Sequence, residues 1–128
     1  MIKKITEKSF KPYGWVIGIP AHVKAASLEN TFAIVRREPT RTGWRIAYLV
    51  VRQKRIERLE QHPGSYESFE PVRGKCLLYV SDKKDPSRIV CFSLDKPVIL
   101  RKGLWHGVVT VSSASEIKIT ENNLITCR

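Results

Sequence analysis

An all-β barrel or sandwich is the fold class this sequence predicts, on three observations. Short runs rich in β-branched and aromatic residues follow one another closely along the 128-residue chain. Turn-forming residues separate those runs, and helical periodicity is nearly absent.

Thr6 is placed to cap a short helical turn over 7–10, which Pro12 and Gly14 then end. Strands are expected at 31–37 (TFAIVRR), 44–52 (WRIAYLVVR), 55–61 (RIERLEQ), 66–72, 75–81 (KCLLYVS), 88–94 (RIVCFSL), 98–102, 105–111 and 116–120 (EIKIT). The links carry the turn formers: Pro39 to Gly43, His62-Pro63-Gly64, Arg73-Gly74, and Asp82 to Ser87 around Pro86. There is no repeat, low-complexity tract or linker, so residues 1–128 are expected to form a single domain.

Composition narrows the class further. Apolar residues are 42% and charged residues 27% of the chain, as in folded globular proteins. No apolar run nears the roughly 20 residues a membrane helix needs. The opening MIKKITEKSF lacks an apolar core, so no secretory signal is expected and the cytoplasm is the expected compartment. Cys76, Cys91 and Cys127 are odd in number and form no Cys-x-x-Cys; Cys76 and Cys91 read as reduced core residues.

The formal charge of +11 raises nucleic acid as a partner. The cations are dispersed, however: Lys3-Lys4, Arg36-Arg37, Arg52 to Arg58, Lys83-Lys84 and Arg101-Lys102. No aromatic-studded binding motif or zinc-finger spacing accompanies them. The favoured reading is a solvated basic surface that suits anionic small molecules, with nucleic acid disfavoured.

One stretch concentrates chemistry. In EQHPGSYESFEPVRG, Glu60 and His62 share a strand face because residues two apart point the same way. If the chain folds back at Pro63-Gly64, Glu67 can join them, and KGLWHG supplies His106 later. The competing reading is bland. His62 would sit in a surface loop, Glu60 would pair with Arg58 or Arg73, and His106 would be a hydrogen-bonded core histidine beneath Trp105.

The spacing Glu60-x-His62, four residues, Glu67, six residues, Gly74 resembles the first motif of the cupins, with Glu60 where the first histidine usually stands. Gly103 and His106 resemble the second motif without its proline. The resemblance implies a double-stranded β-helix, or jelly-roll barrel, with Glu60, His62, Glu67 and His106 facing inward. It also implies that these four ligate one divalent metal, of the nickel, manganese, iron or zinc type.

The chain further resembles the ureidoglycolate lyase family. The stretch Glu60-Gln61-His62-Pro63, then Phe69-Glu70-Pro71, then Trp105-His106 follows that family's order, and ITEKSFKPYGWVI resembles its opening. It departs at Glu67, where the family has glutamine, and at Gly107, where it has a second histidine. The implied activity is cleavage of ureidoglycolate to urea and glyoxylate, and the implied partners are an anionic substrate and a second copy of the chain. Glu60 or Glu67 would serve as base, and His62 or His106 as ligand or acid. Arg45, Arg58 or Arg101 would clamp the substrate carboxylate. Tyr66 would line the pocket mouth, and Tyr48, whose hydroxyl needs a partner, would sit in the core or contact substrate. The alternatives are a non-catalytic small-molecule or sugar-binding cupin and, behind it, a basic nucleic-acid-associated barrel.

Overall fold

The computed structural model describes residues 1–23, 31, 33–38, 42–82 and 84–123. Their elements in chain order are β1 (Ile2–Lys4), α1 (Glu7–Phe10), β2 (Gly14–Val16), β3 (Trp44–Val51), β4 (Glu67–Arg73), β5 (Cys76–Ser81), β6 (Ile89–Ser93), β7 (Val98–Leu100), β8 (Trp105–Thr110) and β9 (Ser115–Asn122). They build one sheet of order β1-β6-β5-β8 and another of order β2-β7-β4-β9-β3. Only β1 and β6 pair in parallel; the other described pairs are antiparallel. This is the expected all-β jelly-roll arrangement, with one short helix.

Alternation decides what fills the space between the sheets. Leu78 and Val80 of β5 and Phe92 of β6 are fully buried from one side; Phe69, Val98, Leu100 and Ile117 meet them from the other. Each such side chain contributes about 1.5–3 kcal/mol by leaving water. The N-terminal helix closes one end. Thr6 Oγ1 accepts from the Ser9 amide and Ser9 Oγ accepts from the Thr6 amide, both at 2.9 Å, which is a reciprocal cap. The cap sets Phe10 down against Phe92, ring centroids 5.2 Å apart and edge to face.

The sequence reading departs from the structure in three places. The described part of 31–37 joins no sheet, though its Arg36 lies against Trp15 and Tyr66. The run 55–61 is no strand either; its one pairing is the bridge of Glu60 to His106. β1 and β2 were not expected, and at three residues each they are too short for a period to show. Cys76 is free and buried, and Cys91 is free and half-buried. Residues 39–41 of the turn expected over 39–43, and Cys127, lie outside the described residues. No helix among the described residues is long and apolar enough to cross a membrane.

Candidate functional site

Three local devices bring distant side chains together. The first is β4, where Glu67 and Phe69 face inward and Ser68 faces away, as a period of two requires. The second is the edge of β8. Glu60 donates to the His106 carbonyl at 2.8 Å and His106 donates back to the Glu60 carbonyl at 2.9 Å, so the segment before His62 is pinned beside β8. The third is the turn between β7 and β8. The Gly103 amide donates to the His62 carbonyl at 3.0 Å, and Gln61 Nε2 donates to the Gly103 carbonyl at 2.8 Å. Gly103 has φ of 77°, a conformation that favours glycine, as does Gly74 at 84° in the turn from β4 to β5.

The result is a buried carboxylate between two buried imidazoles. Glu67 Oε2 lies 3.2 Å from His62 Nε2, and Glu67 Oε1 lies 3.0 Å from His106 Nε2. Among the described residues, His62, Glu67 and His106 bring one potential ligand atom each within 4.8 Å of one another. Phe69 closes one side, its ring edge-on to His106 with centroids 5.4 Å apart.

Electrostatics follows from burial and these contacts. Burial alone would lower the His106 pKa, but the Glu67 carboxylate and the Leu104 carbonyl outweigh it and hold the imidazole above its ordinary value. Burial alone would raise Glu67, but the imidazoles and Glu121 hold it below the usual carboxylate range. Glu121 is pushed up to about 7, first by burial and then by the neighbouring Glu67, against the pull of Arg45. Below that pH it carries a proton that it can share with Glu67. Arg45 closes the row, its Nη2 2.6 Å from Glu121 Oε2. The row is built by register, because Arg45 of β3 lies opposite Glu121 of β9, which lies opposite Glu67 of β4.

This donor set could hold a divalent metal, as the cupin resemblance implies. His106 Nδ1 is 2.9 Å from the Leu104 carbonyl, which can only accept, so the ring proton sits there. Nε2 is left to face a carboxylate oxygen. Glu67 Oε1 is buried without an aligned hydrogen bond despite its closeness to that nitrogen. Two electron-rich atoms held this close call for a proton or a cation between them. Two imidazoles and one carboxylate suit a borderline divalent ion and leave open positions on it.

The triad opens into a cavity of about 530 Å³. Leu49, Phe69, Val108 and Ile119 make its apolar wall, and Arg58 and Glu60 line its rim. Both of those residues are exposed, and Glu60 is not part of the three-residue cluster. The other candidates lie elsewhere. Tyr48 is 55% exposed and donates to Glu116 at 2.9 Å, because alternate residues of edge strand β3 point outward. Tyr66 accepts from Arg36 on the barrel's outside. Arg101 stacks over Trp15 and donates to the Lys11 carbonyl. Glu121 was missed. Its signal was the alternation of Ile117, Ile119 and Glu121, which continues one step past the expected end of the strand at 120.

The comparisons with known proteins agree with this architecture. No protein-family model matches the chain. It is similar to the ureidoglycolate lyase of Agrobacterium fabrum, 28% identical over 120 residues covering 82% of this chain and 72% of the relative. The ureidoglycolate lyase of Rhizobium etli is 27% identical over an alignment of 138 positions, gaps included, covering 95% of this chain and 83% of the relative. Among solved structures, the dTDP sugar isomerase of Desulfovibrio desulfuricans matches with a TM-score of 0.51 at 14% identity, covering 86% of this chain and 73% of that one. Bacillus subtilis oxalate decarboxylase, described with Mn(II) centres, matches with a TM-score of 0.54 at 13% identity over 68% of this chain. This chain spans about a quarter of that enzyme's length, 24%. Peruvianin-I, a cysteine peptidase of Thevetia peruviana latex, matches with a TM-score of 0.54 at 14% identity, so likeness at this level speaks for fold alone. The chain thus has the cupin fold, and in sequence it resembles the ureidoglycolate lyases across most of its length.

Proposed function

We propose that the cavity around His62, Glu67 and His106 carries a ureidoglycolate-lyase-like reaction on ureidoglycolate or a related small carbinol carboxylate. The observation that carries it is the convergence of two imidazoles and a carboxylate in a half-apolar cavity, on a chain 27–28% identical to ureidoglycolate lyases. His62, Glu67 and His106 would hold a divalent metal, which when bound supplies a Lewis acid for a substrate oxygen.

The remaining roles fall to the residues around them. Glu60, the carboxylate at the rim outside the cluster, takes the proton of the substrate hydroxyl. The oxygen's electrons close a carbonyl as the C–N bond breaks, and that bond's pair leaves with the urea nitrogen. The nitrogen then gains the proton, so urea and glyoxylate separate with atoms balanced. Arg58 at the rim meets the substrate carboxylate, and a guanidinium fork suits it. Leu49, Phe69, Val108 and Ile119 keep water from the breaking bond. A homodimer is part of this reading, built on edge strand β3, where Ile46, Tyr48 and Val50 stand exposed.

A second reading rests on Gly107. A Cβ there would lie 2.5 Å from Ile56 Cδ1, so the Ile56 side chain stands where the histidine of the lyases would begin and would have to move to admit one. This favours a cupin with altered substrate choice, or one that binds without turnover. The test is urea release from ureidoglycolate, beside elemental analysis of the wild type and of His106→Ala. Urea release with metal in the wild type, and loss of both in the variant, supports the lyase. Metal without urea release favours the second reading, and metal retained in His106→Ala removes the site.

A further inference from the structure

The cations that look dispersed along the chain are gathered by the fold. Arg36 lies with its guanidinium carbon 4.5 Å from the Trp15 ring centroid, and Arg101 lies 4.6 Å from the same ring. The two guanidinium carbons are therefore no more than about 9 Å apart, by those two distances. Arg36 also lies 5.2 Å from the Tyr66 ring, and Lys102 Nζ lies 4.9 Å from it.

Two surface hollows continue the cluster, and they share Lys102. One, of about 350 Å³, is lined by Tyr13, Arg88, Arg101 and Lys102. The other, of about 640 Å³, is lined by Arg36, Arg37, Tyr66 and Lys102. Five cations thus form a ridge with Tyr13, Trp15 and Tyr66 set among them. Glu38 meets the ridge, 3.0 Å from Lys102. Asp82 stands at the far hollow and accepts the Lys84 amide. Arg36 and Arg101 are set against ring faces, and Lys102 lies against Tyr66 as well as Glu38. A ring face holds a cation without neutralising it, so the charge of the two arginines stays available to a ligand.

A lone carboxylate or phosphate would engage one hollow. A ridge of five cations spanning two hollows matches a chain of negative charges. We propose that the ridge from Arg88 through Arg101 and Lys102 to Arg36 and Arg37 docks the phosphate backbone of a single-stranded nucleic acid. Interleaved rings and guanidinium groups are the means by which such strands are held without sequence preference. The proposal does not rest on the lyase reading, because none of the five cations lines the metal-type cavity.

The experiment is fluorescence anisotropy of a labelled twelve-residue oligothymidylate with the full chain. If about four phosphates are neutralised, affinity falls roughly 50-fold between 50 and 200 mM salt. Changing Arg36, Arg101 and Lys102 together to alanine flattens that dependence to a few-fold. Arg37→Ala and Arg88→Ala, which disturb no ring contact, each lower the logarithmic slope by about 0.7. A control with Lys3, Lys4 and Lys8 changed to alanine carries the same net charge as the triple variant and keeps the wild-type curve. The proposal is overturned by no binding at 50 mM salt, or by a control that loses as much as the triple variant. It is equally overturned if thymidine monophosphate binds as tightly as the oligomer, or if phosphatidylglycerol vesicles compete it off at equal phosphate.

Discussion

The inner cavity and the outer ridge treat charge in opposite ways. Inside, each charge has an answer within reach: Glu67 lies between two imidazoles, and Glu121 lies between Glu67 and Arg45. Outside, positive charge is gathered on aromatic faces with little acid against it. The difference follows from solvent. A buried ion costs several kcal/mol unless it is paired, so the interior groups come as a compensated set. On the surface, water screens the repulsion, and cations can be collected without being neutralised. Interior charge is therefore suited to holding an ion or moving a proton, and surface charge to recognition.

The strongest way to break the comparison is to remove what both regions rest on. Phe92 is fully buried and touches Phe10 and Tyr13, beneath the ridge. Phe92→Ala is expected to cost about 3–5 kcal/mol in urea unfolding, through lost burial and the cavity left behind. It should weaken function at both regions.

Separating them takes a smaller change. His106→Ala should lower metal affinity and urea release by at least about 100-fold, judged against the losses that even supporting residues of metal sites cause. Oligonucleotide binding should stay within about two-fold of wild type, read on the same preparation. Loss of both would mean that the two regions are one.

The pH dependence of the metal-free protein sharpens the interior account. Between the ordinary carboxylate range and about 7, the native state keeps a proton on Glu121 that the unfolded chain has released. Stability should therefore fall as pH rises through that window. His106, raised, adds stability that is present below its ordinary value and lost as pH rises through its raised one. Glu67, lowered, adds stability present above its ordinary value and lost as pH falls through its lowered one. Urea unfolding should show greatest stability near pH 5 and a loss on the order of 1–2 kcal/mol by pH 8, after allowance for the partly solvated Arg45 and Glu121. Added metal should reverse the trend, because it binds the deprotonated ligands. A flat profile from pH 5 to 8 would remove the carboxyl pair from the interior account.

The smallest effect belongs to Tyr48→Phe. The Tyr48 hydroxyl donates to Glu116 on the exposed face of β3, away from both regions. The change should shift stability by no more than about 0.5 kcal/mol and leave urea release unchanged. A large drop in turnover would return Tyr48 to the site.

Much of the fold was legible because alternation and turn residues coincide. From β3 to β8 each strand has a Gly, Pro or Asp at or near at least one end, β9 follows a Ser-Ser turn, and the cap at Thr6 sets α1 to the residue. The run 55–61 misled because an extended, alternating segment looks the same whether or not a neighbour accepts its hydrogen bonds; here only Glu60 finds one. At the site, spacing brought forward His62, Glu67 and His106, whose side chains converge. The alternation through Ile117 and Ile119 points Glu121 inward, but that Glu121 and Arg45 meet in one row with Glu67 follows from the register of β3, β9 and β4, which no local pattern reveals. The ridge was illegible for the same reason. Arg36 and Arg101 are far apart in sequence and meet only because Trp15 stands between them.

The connector from β7 to β8 has a consequence for how this chain can vary. Loops ordinarily absorb insertions and deletions with little penalty. Here four consecutive residues each have an appointment: Arg101 at Trp15, Lys102 at Tyr66, the Gly103 amide at His62, and the Leu104 carbonyl at His106. One residue more or fewer would put all four out of phase at once. This short connector should therefore tolerate a change of length less than almost any strand end in the molecule.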